Sequence, residues 1–256
     1  MSLARQIIVS LSSFGASNVR LHGQRRYVEL CAEAGADGVE IRGELLNDPA
    51  RELPGLASCL DGVGLRAVFS SPAMLWDRTG ALDRDALELG LAAAATLRAP
   101  VLKMSIGGYG QASRTSLVEL QGALSDGKVE LLIENDQTPR AGSVSSLRRF
   151  FEAADETGIH LGMTFDMGNW HWVGESSLQA AGIFAPRVRY VHCKGVQRQP
   201  GRWVAVALQE SSAPWRAVLR AMPDLAPRAI EYPLVGEDVE AVTRGAIQDL
   251  RTLGDD

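Results

Sequence analysis

The sequence predicts an α/β fold, a (β/α)8 barrel, and three observations predict it. Eight short β-rich runs recur along the chain, each followed by an amphipathic or alanine-rich helical stretch. No linker, tandem repeat or low-complexity tract interrupts the alternation. The length, 256 residues, is one that a closed barrel commonly uses for a single domain, here 1–256. Parallel strands need crossover connections, usually helices, so strict alternation points to a parallel sheet. An open doubly wound sheet is the rival, and it commonly uses fewer strands.

The elements follow in order. QIIVSLSSF is the first strand and QRRYVELCAEAG the first helix. GVEIRGEL is the second strand, with helix and turn in PARELPGLASCLDGVG. LRAVFSSP is the third, followed by the clearest helix, DRDALELGLAAAATLRA, which keeps its leucines on one side and offers Asp83 as N-cap. PVLKMSIG is the fourth strand and SRTSLVELQGAL its helix. KVELLIEND is the fifth, and SVSSLRRFFEAADETG follows with Ser143 as cap. IHLGMTFDMG and RVRYVHCKG are the sixth and seventh, separated by a short helix in ESSLQAAG. SSAPWRAVLRAM is the next helix, PRAIEYPL the eighth strand and EDVEAVTRGAIQDLRTL the closing helix.

Bulk properties narrow the function. The chain is 46% hydrophobic and 22% charged, ordinary for a soluble enzyme. Its net charge of -5 gives no general attraction to phosphate backbones, so nucleic acid is not an expected partner. The run LGLAAAATL is too short to span a bilayer, and the MSLARQIIVSLSSFG start reads as a lead-in to the first strand rather than a signal peptide. Three cysteines without a CxxC pair favour a reducing, cytoplasmic setting. GGYG at 107–110 is a loop after strand four and matches no dinucleotide fingerprint.

In a barrel, catalytic groups gather at the carboxyl ends of the strands. Strand five ends in Glu134, strand six in Asp166, strand seven carries His192 and strand eight Glu231. Alternation sends Val129, Leu131 and Ile133 toward the helices and Glu134 inward; Ile230 and Glu231 divide in the same way. Any one such carboxylate is ordinarily a cap or an ion-pair partner. Four groups at one rim instead form an oxygen-rich set suited to Mn²⁺, Mg²⁺, Co²⁺, Fe²⁺ or Zn²⁺. Lys103, inside its strand, needs a partner, either a nearby glutamate or a substrate carboxylate. Glu40, Arg42 and Glu44 alternate on strand two and form either an internal salt network or a clamp for an acidic ligand. Lys194 is a surface lysine or an anion contact. Trp76 and Trp172, placed in rim loops, stack on a ligand or serve a subunit contact. Cys193 points away from His192, toward the helices.

Across nearly its whole length the chain resembles the xylose-isomerase-like TIM-barrel superfamily of sugar isomerases and epimerases. LLIEN, TFDMGN, YVHCKG and IEYPL carry the resemblance. It implies that Glu134, Asp166, His192 and Glu231 bind a divalent metal, Mn²⁺ foremost, and that Glu134 and Glu231 are also the acid/base pair. SLSSFGA, VEIRGELL and ENDQTP look like a bacterial epimerase-like subgroup associated with 2-ketogluconate utilisation. One position departs from the pattern. Ketose 3-epimerases place a histidine three residues after the strand-six aspartate; this chain has Asn169 there, and His171 two further on. His171 either turns to substrate or packs among Trp170 and Trp172. The expected ligand is a small sugar or sugar acid bound by Glu40, Arg42, Lys103, Asn169, His171, Lys194, Trp76 and Trp172, in a homo-oligomer. A dehydratase or lyase, a noncatalytic sugar-acid binding protein and an apurinic-site endonuclease are the alternatives; the last needs more histidines than the four present.

Overall fold

The computed structural model describes residues 5–253. The ends of the expected 1–256 unit, including the first four residues of the MSLA start, lie outside that range. Eight parallel strands close on themselves: β1 (Ile7–Ser10), β2 (Gly38–Arg42), β3 (Arg66–Trp76), β4 (Val101–Gly107), β5 (Glu130–Glu134), β6 (Gly162–Asp166) and β7 (Val188–Cys193) are joined, after a hairpin of β8 (Gly195–Gln199) and β9 (Arg202–Val206), by β10 (Arg228–Ile230). β10 pairs with both β7 and β1, which shuts the barrel and leaves the barrel sheet without an open edge. The expected (β/α)8 barrel is the observed one.

Helices return the chain from each strand's carboxyl end. Asp83 and Ser143 cap theirs as the sequence predicts, accepting from the backbone N–H groups of Ala86 and Ser146. The strand alternation divides two cores. Val39, Ile41, Leu131, Ile133, Phe165, Val191, Cys193 and Ile230 face outward and bury against the helices. Ile8, Val68, Leu132, Tyr190 and Ala229 fill the lower barrel interior. Above that apolar floor the inward positions turn polar, and Ser10, Glu40, Ser70, Lys103, Thr164, Asp166 and His192 are all buried.

Four local readings need correction. The helix expected from residue 24 is observed as Gln24–Glu33, but a further helix, Ala16–His22, precedes it where none was expected, set off by Gly23 at φ 78°. The helix expected from residue 113 begins as a 3-10 turn, Gln111–Ser116, and is α-helical only over Leu117–Ala123. β3 runs on past Pro72 to Trp76, through a register irregularity between Ser70 and Met74. The β8–β9 hairpin, where no strand was expected, turns at Pro200–Gly201 with Gly201 at φ 79°. Its signal was present: a Pro-Gly pair between two β-rich runs reads as a turn. No described helix is long and apolar enough to cross a membrane.

Gly38 marks how tightly the barrel floor closes. A Cβ there would lie 2.6 Å from the Arg66 carbonyl oxygen and 2.7 Å from Ile8 Cδ1. Backbone cannot yield as a flexible side-chain tip can. Gly38→Ala is expected to cost about 1–3 kcal/mol by overpacking, each kcal/mol being worth roughly 2–4 °C in melting temperature. Urea denaturation at unchanged m-value checks this; a variant as stable as the parent would show that the floor has slack.

Candidate metal centre

The register of neighbouring strands brings the charged residues to one height. Asp166 pairs with His192, His192 with Ala229, and Ser10 with Glu40. His192 is fully buried at the centre. Its Nδ1 faces Glu231 Oε2 at 2.9 Å, Glu134 Oε1 at 3.1 Å and Asp166 Oδ2 at 3.6 Å. One ligand atom from each of these four residues lies within 4.8 Å of the others.

Each of the four is held from behind. His192 Nε2 donates to Glu40 Oε2 at 2.7 Å, which turns Nδ1 to the centre. Lys103 Nζ donates to Glu134 Oε2 at 2.7 Å, leaving Oε1 inward. Arg42 Nη1 bridges Glu231 Oε1 at 2.8 Å and Glu40 Oε1 at 2.7 Å, leaving Glu231 Oε2 inward. Asp166 Oδ1 accepts from the backbone N–H groups of Gly168 and Asn169 at 2.8 and 2.9 Å, leaving Oδ2 inward. Asn135, fully buried, then ties β5 to β6: its side chain donates to the Asp166 carbonyl and accepts from the Asp166 N–H.

Electrostatics follow from this packing. Burial pushes the Glu134 carboxyl up, but Lys103 and His192 overcome it and hold it at about 2. Glu231 is likewise held well below the usual carboxylate range, by His192, Lys194 and Arg42 acting against burial. Glu40 is lowered against burial by His192 and Lys103. For Asp166 burial wins over the nearby Lys194 and the carboxyl is raised. Burial disfavours the His192 imidazolium, yet Glu231 and Glu40 raise it well above the ordinary histidine value.

The remaining expected site residues divide. Glu40, Arg42 and Lys103 form a salt network inside the barrel, with Arg42 also pairing Glu44 at 2.7 Å. Lys194 Nζ lies 2.7 Å from both Asp166 Oδ2 and Glu231 Oε2. Asn169 stands at the rim with both ends of its amide engaged: Nδ2 donates to the Asn135 carbonyl, while Oδ1 accepts from Gln137 and Lys194. His171 packs on Trp203 of the hairpin, ring centroids 5.0 Å apart, and Trp172 beside it is half-buried. Trp76 must be moved. It lies in β3 rather than in a rim loop, is 0% exposed, packs edge-on against Tyr109 and Phe150, and donates from Nε1 to Ser116 Oγ. Cys193 faces the helices as expected, and burial pushes its thiol up to about 12.

Gln137 and the hairpin were not anticipated as part of this region. Above the cluster is a cavity of about 220 Å³ lined by Ser12, Ser13, Lys194, Ala205, Glu231, Tyr232 and Pro233. Ala205 of β9 thus helps wall the mouth.

The sequence matches the profile of the xylose isomerase-like TIM barrel family over residues 28–251. The chain belongs to that family. No curated protein matches this xylose isomerase-like barrel in sequence. Solved structures do match it in fold. D-allulose 3-epimerase from Methylomonas sp., in complex with D-allulose, aligns with TM-score 0.71 and 13% identity over 98% of this chain and 97% of the epimerase. The probable 3-DHS dehydratase AsbF from Bacillus anthracis aligns with TM-score 0.70 and 14% identity, covering 96% and 98%. D-psicose 3-epimerase from Clostridium cellulolyticum H10, with D-tagatose, gives 0.67 and 13%, covering 97% and 99%.

The donor set of this xylose isomerase-like barrel fits a divalent cation. Three inward carboxylate oxygens and one imidazole nitrogen suit a hard or borderline ion. The charge also fits. With His192 neutral, as it must be to offer Nδ1 to an ion, five carboxylates (Glu40, Glu44, Glu134, Asp166 and Glu231) face three cations (Arg42, Lys103 and Lys194). Two negative charges remain, which is what one divalent ion neutralises.

Placing Trp76 in the core gives a direct test. Trp76→Phe removes a buried donor and part of the packed ring, and is expected to cost about 1–3 kcal/mol of stability. Denaturant unfolding reads the loss. A variant as stable as the parent would show that the indole is not part of the packed core.

Proposed function

We propose that this barrel is a divalent-metal-dependent sugar or keto-sugar-acid isomerase or epimerase that moves a proton through a cis-enediolate. The observation that carries the reading is the set of four inward atoms, each fixed by a separate partner, with a residual charge of two. In this reading Glu134, Asp166, His192 and Glu231 hold the ion, with Mn²⁺ the first to supply. The ion would provide Lewis-acid stabilisation of the charge that develops on the sugar oxygens.

The chain's own residues handle the proton. A carbon beside a carbonyl is acidic enough to lose a proton to a well-placed carboxylate. Glu134 and Glu231 approach the centre from β5 and from the end of β10, with β6 and β7 between them. Lys103 holds Glu134 through Oε2 and Arg42 holds Glu231 through Oε1, so both carboxyl groups are oriented toward the centre. One, as a carboxylate, removes the proton; the other, protonated for that turnover, returns one, and the two exchange roles for the reverse direction. Return to the same carbon epimerises it; return to the adjacent carbon isomerises the sugar. His192 and Asp166 stay anchored by Glu40 and by backbone N–H groups, so the frame does not move as charge shifts.

The cavity bordered by Lys194, Ser12, Ser13 and Tyr232 is where we place the sugar, with Ala205 of the hairpin limiting solvent. Epimerases among the structural neighbours support the sugar class, and a probable dehydratase among them keeps water loss among the products to assay. An apurinic-site endonuclease is disfavoured, because His22 and His160 are exposed on the outside and add nothing to the cluster.

The test is a panel of keto sugars, keto-sugar acids and their phosphates in deuterated buffer with Mn²⁺. Wild-type protein should wash deuterium into the carbon next to the carbonyl. Glu134→Gln and Glu231→Gln should each lower exchange by roughly 10²–10⁴-fold or more, the range for a positioned acid or base. Full exchange in both variants would remove the two glutamates from the chemistry.

A further inference from the structure

Lys194 stands apart from the other cations of the cluster. Lys103 and Arg42 grip oxygens that point away from the centre, Glu134 Oε2 and Glu231 Oε1. Lys194 Nζ contacts Asp166 Oδ2 and Glu231 Oε2, the oxygens that face His192 Nδ1. It therefore takes two of the four inward ligand atoms for itself. The chain spends lysine sparingly, with only Lys103, Lys128 and Lys194 among its 26 basic residues. Two of the three are in this cluster.

We infer that Lys194 is the built-in counter-cation of the metal position and is displaced when the ion binds, so that metal exchanges with a side chain. The inference rests on the metal reading above. An ion bound to both oxygens at about 2.0–2.2 Å would stand no more than about 5 Å from an ammonium group left in place. Two positive centres that close, in a buried site, repel strongly. The lysine has somewhere to go. Its ammonium already touches Asn169 Oδ1 at 3.1 Å, and its side chain borders the 220 Å³ cavity at the mouth. There the freed ammonium would meet an incoming anionic or hydroxyl group, which couples metal loading to the readiness of the substrate cavity.

The stem of Lys194 runs along Gly168. A Cβ on Gly168 would fall 2.8 Å from Lys194 Cδ and 3.0 Å from its Cγ. Gly168→Ala therefore crowds the Lys194 stem, and is expected to loosen its grip on the two carboxylates without removing its charge. It provides a variant that separates the position of the ammonium from its mere presence.

Isothermal titration of Mn²⁺ into chelator-treated protein tests the inference. Lys194→Met should bind Mn²⁺ roughly ten-fold more tightly than wild type, and Gly168→Ala should shift affinity in the same direction by about two-fold or more. Equal or weaker binding in Lys194→Met overturns the inference while leaving the metal site standing. No binding by wild type and by both variants overturns the metal reading and this inference together. A second measurement needs no variant: acylation of wild-type lysines, read by mass spectrometry against the exposed Lys128. Labelling of Lys194 should rise several-fold relative to Lys128 when Mn²⁺ is added, and an unchanged ratio overturns displacement.

Discussion

The structure depends on one constraint: a barrel interior can hold several carboxylates only if each is gripped by its own donor. Unpaired, such groups would be too costly to bury. Here the grip differs for each. Glu134 has an ammonium, Glu231 a guanidinium, Asp166 two backbone N–H groups, and His192 a second carboxylate. These partners offset part of the cluster's charge, and they also fix which atom of every side chain points to the centre. Stability and geometry come from the same contacts.

The barrel makes this affordable by layering. Ile8, Val68, Leu132, Tyr190 and Ala229 seal the lower interior against water, so the charged layer sits on a dry floor. The outward faces of the same strands are aliphatic and bury against helices. A strand such as β2 therefore alternates Val39 and Ile41 outward with Glu40 and Arg42 inward, and each residue type is consistent with its face. The hairpin after β7 adds a wall over the mouth, where Trp203 meets His171 and Ala205 meets the cavity.

Much of the rim was legible because strand alternation has a period of two and the barrel places strand ends together. Glu134, Asp166, His192 and Glu231 follow from those two rules alone. Trp76 did not follow. β3 passes through an irregularity after Ser70, and such a break resets which face each later residue takes. The indole that looked like a loop residue is core. The hairpin could have been read from its Pro-Gly turn, but a ninth and tenth strand do not fit a simple count of eight.

What the sequence determined by itself was the alternation of strands and helices, the closed parallel barrel and the identity of four polar strand-end residues. These depend on local periodicity and on chain connectivity, both of which are written along one dimension. Only the tertiary structure decided the partners: Glu40 behind His192, 152 residues away, Arg42 on Glu231, 189 residues away, and Lys194 across Asp166 and Glu231. Several cations and several carboxylates can pair in many ways on paper. Strand register and the limited reach of each side chain leave one arrangement, because neither is encoded near the residues it joins.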